Sequence, residues 1–282
     1  MATDIEVAAY SIWADLQRIR STNPLVHNIT NSVVQDFTAN ALLALGASPI
    51  MSDSVDETEE LVAACNALNI NIGTPNLQAA EAMVKAIGTA RKLGKPVALD
   101  PVAVGATKLR RTLIEDLLGA GTPTIVRGNL AEISVLAGMV WGGKGVDSGA
   151  YLQDPGEIVR KAAQKLGCSV VGTGKTDYAS DGTQLFSIAN GHPLMTRVTG
   201  MGCVATSMVA AFLAVQPVPL IAAVHAIALI GIAGEWAARR ALAEGSGTFR
   251  VKFLDSFDKL GANDLEATAK IKIEPTVGRS SA

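Results

Sequence analysis

The sequence predicts an α/β fold with a mostly parallel central sheet and helices on both of its faces. Short apolar segments alternate with amphipathic helical segments along most of the chain, which is typical of parallel strands joined by helical crossovers. In addition, 49% of the 282 residues are hydrophobic whereas only 4% are aromatic. A composition rich in small and aliphatic residues favours strands that are covered on both faces.

The first half of the chain predicts an N-terminal helix and then four strands, each followed by a helix. Ser32 is expected to cap the helix after the first strand, and Gly46 and Gly94 to end two of the helices. The predicted strands are 25–30, 48–52, 68–73 and 96–101. The predicted helices are 5–20, the segment between Ser32 and Gly46, a helix with an acidic start within 55–65, 77–94 and 107–118.

The second half predicts two further strands, a hairpin and two long helices. An Asp-Gly pair at 181–182 between two apolar runs is typical of a β-hairpin. The predicted elements are strand 124–129, helix 130–137, a glycine-rich loop at 138–149, a further helix, strand 168–174, hairpin 176–188, two long helices and a polar tail from about residue 274. Because no linker or repeat interrupts the pattern, we expect a single domain over residues 1–282 without a separate lid.

The two long helices lie in a stretch without charged residues. No Asp, Glu, Lys or Arg occurs from Val198 to Gly234, a property shared with membrane spans. However, Gln216, Pro217 and Pro219 divide this stretch into pieces of about 12 and 16 residues, below the ~20 that a span requires. We therefore predict two buried helices.

Charge and cysteine usage exclude several classes of partner and compartment. The net charge is −2, with 24 basic and 26 acidic residues, and no basic run stands out, so nucleic acid and anionic membrane surfaces are not expected partners. The three cysteines, Cys65, Cys168 and Cys203, are odd in number and far apart, unlike a disulfide framework or a zinc site. Together with an acidic N-terminus unlike a signal peptide, they predict a cytoplasmic protein.

Polar residues end three of the predicted strands. Asp100 follows three apolar residues, Arg127 closes another strand with Glu132 just over one helical turn later, and Thr173 ends a third. Ligands of open α/β sheets bind beyond the carboxyl ends of the strands, so we expect these side chains to share one site. Each also has a structural interpretation when taken alone; their convergence on one edge of the sheet favours a functional site.

A glycine-rich helix start, "TGMGC" at 199–203, completes this set. A helix N-terminus without side-chain caps exposes backbone N–H groups that bind anions. Two carboxylates are typical ligands of Mg²⁺, which completes its coordination with substrate phosphates and water. A guanidinium group binds the phosphates themselves. The combination indicates a phosphoryl-transfer enzyme.

Two other motif matches fail. "GTGKT" at 172–176 is similar to a phosphate-binding loop, but Ser169 stands where the first glycine belongs and a hairpin follows instead of a helix. "GMGCVA" at 200–205 satisfies the dinucleotide fingerprint, yet the next carboxylate, Glu235, lies well beyond the ~20 residues expected for a ribose-binding acid.

The chain resembles the hydroxyethylthiazole kinases of thiamine biosynthesis and salvage, members of the ribokinase-like superfamily, from about residue 23 to about residue 255. The resemblance implies a ribokinase-like three-layer sandwich and transfer of phosphate from ATP, with Mg²⁺, to the primary alcohol of 4-methyl-5-(2-hydroxyethyl)thiazole. It rests on "NPLVHNITNSVVQDFTANALLALGASPIMS" (23–52), "ALDPVAVGAT" (98–107), "IVRGNLAEI" (125–133) and "VTGMGC" (198–203).

The resemblance also implies roles for individual residues and a homotrimer with the thiazole site between subunits, so that Asn31 and Met51 would serve a neighbour's site. The implied positions are Arg127, Thr173 and Gly202 for ATP, Asp100 and Glu132 for the metal, Asn31, Met51 and Gly200 for the thiazole, and Cys203 beside the acceptor hydroxyl.

Cys203 occupies the place where many sugar kinases of this superfamily have an aspartate base. A thiol pKa of about 8.5 falls at a helix N-terminus, so we expect Cys203 to assist the alcohol with a modest catalytic role.

Three alternatives remain at this point. A hydroxymethylpyrimidine kinase shares the fold, but "HNITN" (27–31) and Cys203 argue against it. A nucleotide-dependent dehydratase that repairs hydrated NAD(P)H also has this fold, and acceptor specificity separates the two chemistries. A non-enzymatic nucleotide-binding protein would show no turnover, and it fits poorly with a carboxylate pair beside a phosphate cradle.

Overall fold

The computed structural model describes residues 9–139, 154–241 and 243–275. Their strands form one sheet of order β2-β1-β3-β4-β5-β6-β7-β8-β9. Strands β1 to β6 pair in parallel, and β7, β8 and β9 continue the sheet antiparallel. The strands are β1 (Leu25–Ile29), β2 (Ser48–Met51), β3 (Ala67–Asn71), β4 (Val97–Asp100), β5 (Ile125–Asn129), β6 (Ser169–Thr173), β7 (Asp177–Ser180), β8 (Leu185–Ile188) and β9 (Ile271–Ile273).

Helices cover both faces of the sheet, as the sequence predicts. Helices α3 to α7 form one apolar core with the sheet, and α1, α2 and α8 to α11 form the other. The helices are α1 (Ala9–Thr22), α2 (Gln35–Leu45), α3 (Thr58–Ala64), α4 (Leu77–Leu93), α5 (Lys108–Ala120), α6 (Leu130–Ala137), α7 (Pro155–Leu166), α8 (Met201–Leu213), α9 (Pro219–Ala241), α10 (Ser246–Lys259) and α11 (Ala262–Thr268).

The alternation of side chains along the strands places several polar residues on the α8 face. Successive residues of a strand point to opposite faces. Asn69 and Asn71 therefore share a face with Asp100 of β4 and Arg127 of β5, while Leu68 and Ile70 pack into the opposite core. The polar residues thus meet α8 at one edge of the sheet.

Helices α8 and α9 are buried within the protein. By length and composition α9, with 23 residues, could cross a membrane, but 89% of its most apolar window is buried inside the protein. The helix is longer than the predicted piece because it continues past Glu235 to Ala241. Its hydrophobicity is explained by packing against α8 and α10, and the prediction of two buried helices is confirmed.

Most predicted boundaries agree with the structure within about three residues, including the ends of α2 and α4 at Gly46 and Gly94. Ser32 is not a cap: α2 begins at Gln35 after Val34, without a side-chain cap. The sequence patterns also missed α10, α11 and the edge strand β9. The loop predicted at 138–149 and the predicted tail lie almost entirely outside the described residues.

Candidate active site

The N-terminus of α8 is open at its first turn. Gly200 precedes the helix in a left-handed conformation, with φ +86°, and supplies no side-chain cap. A Cβ at this position would lie 2.5 Å from Cγ1 of Val34, so only glycine fits between the two segments. The first-turn amides are thereby left without a side-chain acceptor, which is the arrangement that binds anions.

Arg127 extends from β5 across this helix start. A Cβ at Gly202 would lie 2.6 Å from Nη1 of Arg127, so the guanidinium approaches the backbone closely. Its Nη2 donates to Oγ1 of Thr173 at 2.7 Å. Among the described residues its buried Nε has no hydrogen-bond partner. The structure thus brings Arg127, Thr173 and Gly202 together as a cationic, donor-rich corner suited to a phosphate.

Asp100, at the end of β4, is buried beneath this corner. Its Oδ2 accepts hydrogen bonds from Nδ2 of Asn71 at 2.9 Å and Oγ1 of Thr206 at 2.8 Å. Burial raises the pKa of Asp100 to about 7; the charge of Glu132 acts in the same direction, whereas Arg127, Thr206 and Asn71 oppose it. A carboxylate with so perturbed a pKa is typical of a functional site.

Glu132 has a different role in the structure. Its Oε2 accepts from the backbone N–H of Asn129 at 2.8 Å, and Asn129 caps α6 in return. Its Oε1 accepts from the backbone N–H of Ala103 at 2.8 Å, which has the unusual φ of +54° for a non-glycine residue. Glu132 therefore fixes the loop that follows Asp100 while adding negative charge to the site.

Asn31, Asn71 and Cys203 form a second group of contacts at the start of α8. Nδ2 of Asn31 donates to Oδ1 of Asn71 at 2.8 Å and lies 3.3 Å from Sγ of Cys203. Burial and the nearby charge of Asp100 raise the pKa of Cys203, although Asn71, Asn31 and Arg127 oppose that shift. The lowering expected at the helix N-terminus is therefore not found, because burial and the charge of Asp100 raise this pKa instead.

Met51 and His27 make none of the hydrogen bonds described above. Met51 ends the edge strand β2, where it pairs with Asn28 of β1, and no hydrogen bond links it to the other site residues. His27 lies on the opposite face of β1 from Asn28, with Nε2 3.1 Å from the carbonyl oxygen of Ser52. Of the residues implied for the thiazole, Asn31 and Gly200 therefore lie at the helix start, and Met51 ends the edge strand β2 in register with Asn28.

Sequence reasoning missed three polar residues that contact or neighbour this site. Asn71 and Thr206 hold Asp100, and Asp177 accepts from the backbone N–H of Gly174 at 2.9 Å beside Arg127. Burial raises the pKa of Asp177 to about 6, against the influence of Gly174 and Arg127. Two asparagines at alternate positions of a buried strand were the available signal for Asn71, because such a strand otherwise carries apolar residues.

A metal ion at this site would have few protein ligands. In the described ranges, no group of three or more His, Cys, Asp and Glu side chains could hold a metal ion. Both hydrogen bonds to Asp100 use Oδ2, and its pKa is raised by burial without a cation in contact. That carboxylate fits a hard cation such as Mg²⁺, which commonly uses one or two carboxylates and completes its shell with phosphate and water.

Comparison with known proteins identifies the family. Residues 16–263 match the model of the hydroxyethylthiazole kinase family. A hydroxyethylthiazole kinase from Granulibacter bethesdensis is 50% identical over 255 residues, which cover 90% of this chain and 92% of that relative. The solved structure of a hydroxyethylthiazole kinase from Pyrococcus horikoshii OT3 is 40% identical, with a TM-score of 0.86 over 94% of this chain and 99% of that one.

A more distant structure supports the fold class. A ribokinase-like superfamily protein from Enterococcus faecalis V583 gives a TM-score of 0.61 at 14% identity, covering 85% of this chain and 88% of that one. The expected ribokinase-like sandwich is therefore confirmed. The motifs at 23–52, 98–107, 125–133 and 198–203, the three-layer fold and these comparisons agree, and the chain belongs to the hydroxyethylthiazole kinase family.

Proposed function

We propose that this protein phosphorylates the primary alcohol of 4-methyl-5-(2-hydroxyethyl)thiazole with ATP and Mg²⁺, within thiamine biosynthesis or salvage. The proposal rests on one observation. Arg127 and the uncapped start of α8 lie close to the buried side chains of Asp100 and Asn31. In this reaction the alcohol oxygen bonds to the γ-phosphorus, the bond to the β,γ-bridging oxygen breaks, and ADP and a proton leave.

The phosphate side of the site supplies charge stabilisation. Arg127 is positioned by Thr173, at 2.7 Å, directly above the helix start at Gly202. The guanidinium and the backbone N–H groups of the first turn would receive the negative charge of the transferring phosphoryl group. Such preorganised donors supply most of the rate enhancement in phosphoryl transfer.

Asp100 would hold the Mg²⁺, with Glu132 adding charge from further away. Both oxygens of Glu132 already accept backbone N–H groups, which suits contact through water. When bound, the ion neutralises phosphate charge and orients the phosphates. Its binding would also lower the pKa of Asp100, because an adjacent cation favours the ionised carboxylate.

Cys203 would lie beside the acceptor hydroxyl as a neutral thiol. Its raised pKa makes it a poor general base at neutral pH, which agrees with the modest role that the sequence suggests. Phosphoryl transfer needs little deprotonation of the alcohol beforehand, since positioning and charge neutralisation dominate. Asn31 would position the thiazole alcohol, and Gly200 allows its close approach to the helix start.

The test is a coupled assay of ADP release by pure protein with ATP and Mg²⁺, with and without the thiazole alcohol. We expect thiazole-dependent ADP release and a product heavier by one phosphate group in mass spectrometry. Hydroxymethylpyrimidine and hydrated NADH serve as parallel substrates. Turnover of either of these, with none of the thiazole, would overturn the substrate assignment.

We further propose a homotrimer in the cytoplasm. Asn31 contacts Cys203 of its own chain, so we assign it to that chain's site and not to a neighbour's. The position of Met51 on the edge strand β2 supports a thiazole site completed by a neighbouring subunit. Val33, just before α2, and Leu43, on α2, have apolar side chains that are 62% and 60% exposed and offer a surface for such a contact. Light scattering after gel filtration tests whether the protein is a trimer.

The cytoplasmic location is supported by three free cysteines, which suit a reducing compartment. Cell fractionation tests this location.

A further inference from the structure

Asn71 links both halves of the candidate active site. It is the last residue of β3 and is 1% exposed. Its Nδ2 donates to Oδ2 of Asp100 at 2.9 Å, and its Oδ1 accepts from the backbone N–H of Gly73 at 2.9 Å and from Nδ2 of Asn31 at 2.8 Å. One amide therefore contacts the carboxylate, the loop after β3 and the substrate-side asparagine.

These contacts determine which atom donates and which accepts in the hydrogen bonds that join Asn71, Gly73 and Asn31. A backbone N–H group can only donate, so the atom of Asn71 that faces Gly73 must be the carbonyl oxygen. The group of Asn31 that faces the same oxygen must then be its NH₂. This argument settles the amide orientation of both asparagines from the network itself.

Within the described part of the chain, the side chain of Asn31 then has one polar atom without a hydrogen-bond partner, its Oδ1. Its two N–H groups are directed at Oδ1 of Asn71 and Sγ of Cys203, at 2.8 and 3.3 Å. Only its carbonyl oxygen is available to a ligand, because an amide has two N–H donors and one oxygen acceptor. A ligand at this position must supply a hydrogen-bond donor, as the hydroxyl of an alcohol does.

We propose that Asn71 is a positioning residue that turns Asn31 so that its carbonyl oxygen accepts a hydrogen bond from the substrate alcohol. The inference rests on the proposed function. It assigns to the carbonyl oxygen of Asn31, oriented by Asn71, the preference of the site for a free hydroxyl over an ether. Without Asn71, the amide of Asn31 is free to rotate and present its NH₂ instead, which does not distinguish the two ligands.

Asn69 is a matched control on the same strand. It is buried on the same face of β3, two residues earlier, and donates to Oδ1 of Asn28 at 3.0 Å. No hydrogen bond joins it to Asn31 or Asp100 among the described residues. Asn69→Ala therefore removes a buried asparagine of the same strand without disturbing the orientation of Asn31.

The experiment compares two ligands, 4-methyl-5-(2-hydroxyethyl)thiazole and its methyl ether, which lacks the donor. Calorimetry of each without nucleotide or metal gives the ratio of their Kd values for wild type, N71A, N71D and N69A. We expect wild type to prefer the alcohol by about tenfold, as a buried hydrogen bond allows, and N71A to lose that preference. N71D keeps the acceptor for Gly73 and Asn31 but faces Asp100 with a second carboxyl group. Two carboxyl groups this close share one proton, and with the pair singly protonated N71D should recover most of the preference.

Kinetics and unfolding separate positioning from a structural effect. For N71A, KM for the thiazole should rise by about tenfold, and kcat should fall by about fivefold because Asp100 also loses its hydrogen bond from Asn71. N69A, which loses one hydrogen bond where N71A loses three, should lower the melting temperature by less than N71A and keep the wild-type ligand preference. Equal preference ratios in N71A and wild type, or the same change in N69A, would overturn the inference alone. Wild-type protein that neither binds nor phosphorylates the thiazole would overturn the proposed function and this inference with it.

Discussion

Two aspartates of this protein, Asp15 and Asp100, are equally buried, each 1% exposed, yet their pKa values are shifted in opposite directions. Asp15 of α1 accepts from Nδ1 of His225 at 2.6 Å, Nε2 of Gln216 at 2.9 Å and Nη1 of Arg18 at 2.8 Å. Burial would raise the pKa of Asp15, but the bonds from His225 and Gln216, with the charges of His225 and Arg18, lower it.

Asp100, in contrast, has only neutral hydrogen-bond partners, Asn71 and Thr206, and burial raises its pKa to about 7. The charge of Asp15 is compensated inside the protein, where it ties α1 to α9. We propose that the charge of Asp100 is compensated by a bound ligand. The difference separates a structural carboxylate from a functional one without reference to any relative.

The largest expected effect on stability is at Asp15. Asp15→Asn removes the charged acceptor of three hydrogen bonds, from His225, Gln216 and Arg18. Hydrogen bonds to a charged group contribute about 1.5–3 kcal/mol each, so the loss should reach about 3–5 kcal/mol. Urea unfolding at pH 7 measures this loss.

The pH dependence at Asp15 gives a second check. Because the folded pKa of Asp15 is lowered, its contribution is present above about pH 4 and disappears as the pH falls through the folded value. The difference between wild type and D15N should therefore shrink in acid. A difference that stays constant down to pH 2 would contradict the origin assigned to it.

The reverse behaviour is expected at Asp100. Asp100→Asn removes a buried charge that has no cationic partner in contact, so without divalent cations the variant should be more stable than wild type at pH 8. Since one pKa unit corresponds to about 1.4 kcal/mol, the gain should reach about 2–4 kcal/mol.

The sign follows from the protons bound. With a folded pKa raised to about 7, native wild type binds more protons than the unfolded chain between about pH 4 and pH 7. Its free energy of unfolding therefore falls as pH rises through this window, and D100N should lack that fall. If the free energies of unfolding of the two proteins change with pH in parallel, the charge of Asp100 is compensated within the folded protein.

Arg110 tests how the loops around Asp100 are held. Its Nη1 donates to the carbonyl oxygens of Ile72 and Val102 at 2.6 and 2.8 Å, and its Nη2 donates to that of Gly73 at 2.7 Å. Arg110→Ala should lower kcat/KM about tenfold and cost about 2 kcal/mol of stability, the contribution of one charged hydrogen bond, because Arg110 is half-buried and water can replace the others. Arg111→Ala, which loses one exposed bond to Gly105, should change neither quantity appreciably. Equal effects of the two variants would exclude a role for Arg110 in the site.

The smallest expected effect is at Thr206. Thr206→Val keeps the shape but removes the hydroxyl that donates to Asp100 at 2.8 Å. Ser207→Ala removes the neighbouring hydroxyl, which donates to Asn28 at 2.6 Å. Both should lose about 1 kcal/mol of stability. Only T206V should also lower kcat, by about fivefold for a bond of this strength. If S207A lowers kcat as much, the contact with Asp100 is not what matters.

Local patterns in the sequence were sufficient for most of the fold. Glycines at helix ends, the Asp-Gly turn and apolar alternation are signals contained within a few residues. Strand β9 carries no comparable signal, because three residues, Ile271–Ile273, form a strand only by pairing with β8, more than 80 positions earlier. Ser32 failed as a cap because the turn before α2 ends at Val34, a detail of loop geometry that composition does not encode.

The site was predictable as a set of strand ends but not as a network. Asp100, Arg127 and Thr173 follow from the rule that ligands bind beyond the carboxyl ends of strands. The shifts in pKa of Asp100 and Cys203 depend on burial and on partners distant in sequence, such as Thr206 at 106 positions from Asp100. For this reason the expected pKa of Cys203 had the wrong sign.

The most direct measurement is the rate of thiazole phosphate formation by wild type, D100N and D15N, at a temperature where circular dichroism shows each protein folded. Loss of a charged group that stabilises phosphoryl transfer costs at least about 100-fold. We therefore expect D100N to retain less than about 1% of wild-type kcat. D15N should stay within about threefold of wild type, because it lies outside the site. Activity in D100N equal to that in D15N would contradict the assignment of Asp100 as the functional carboxylate.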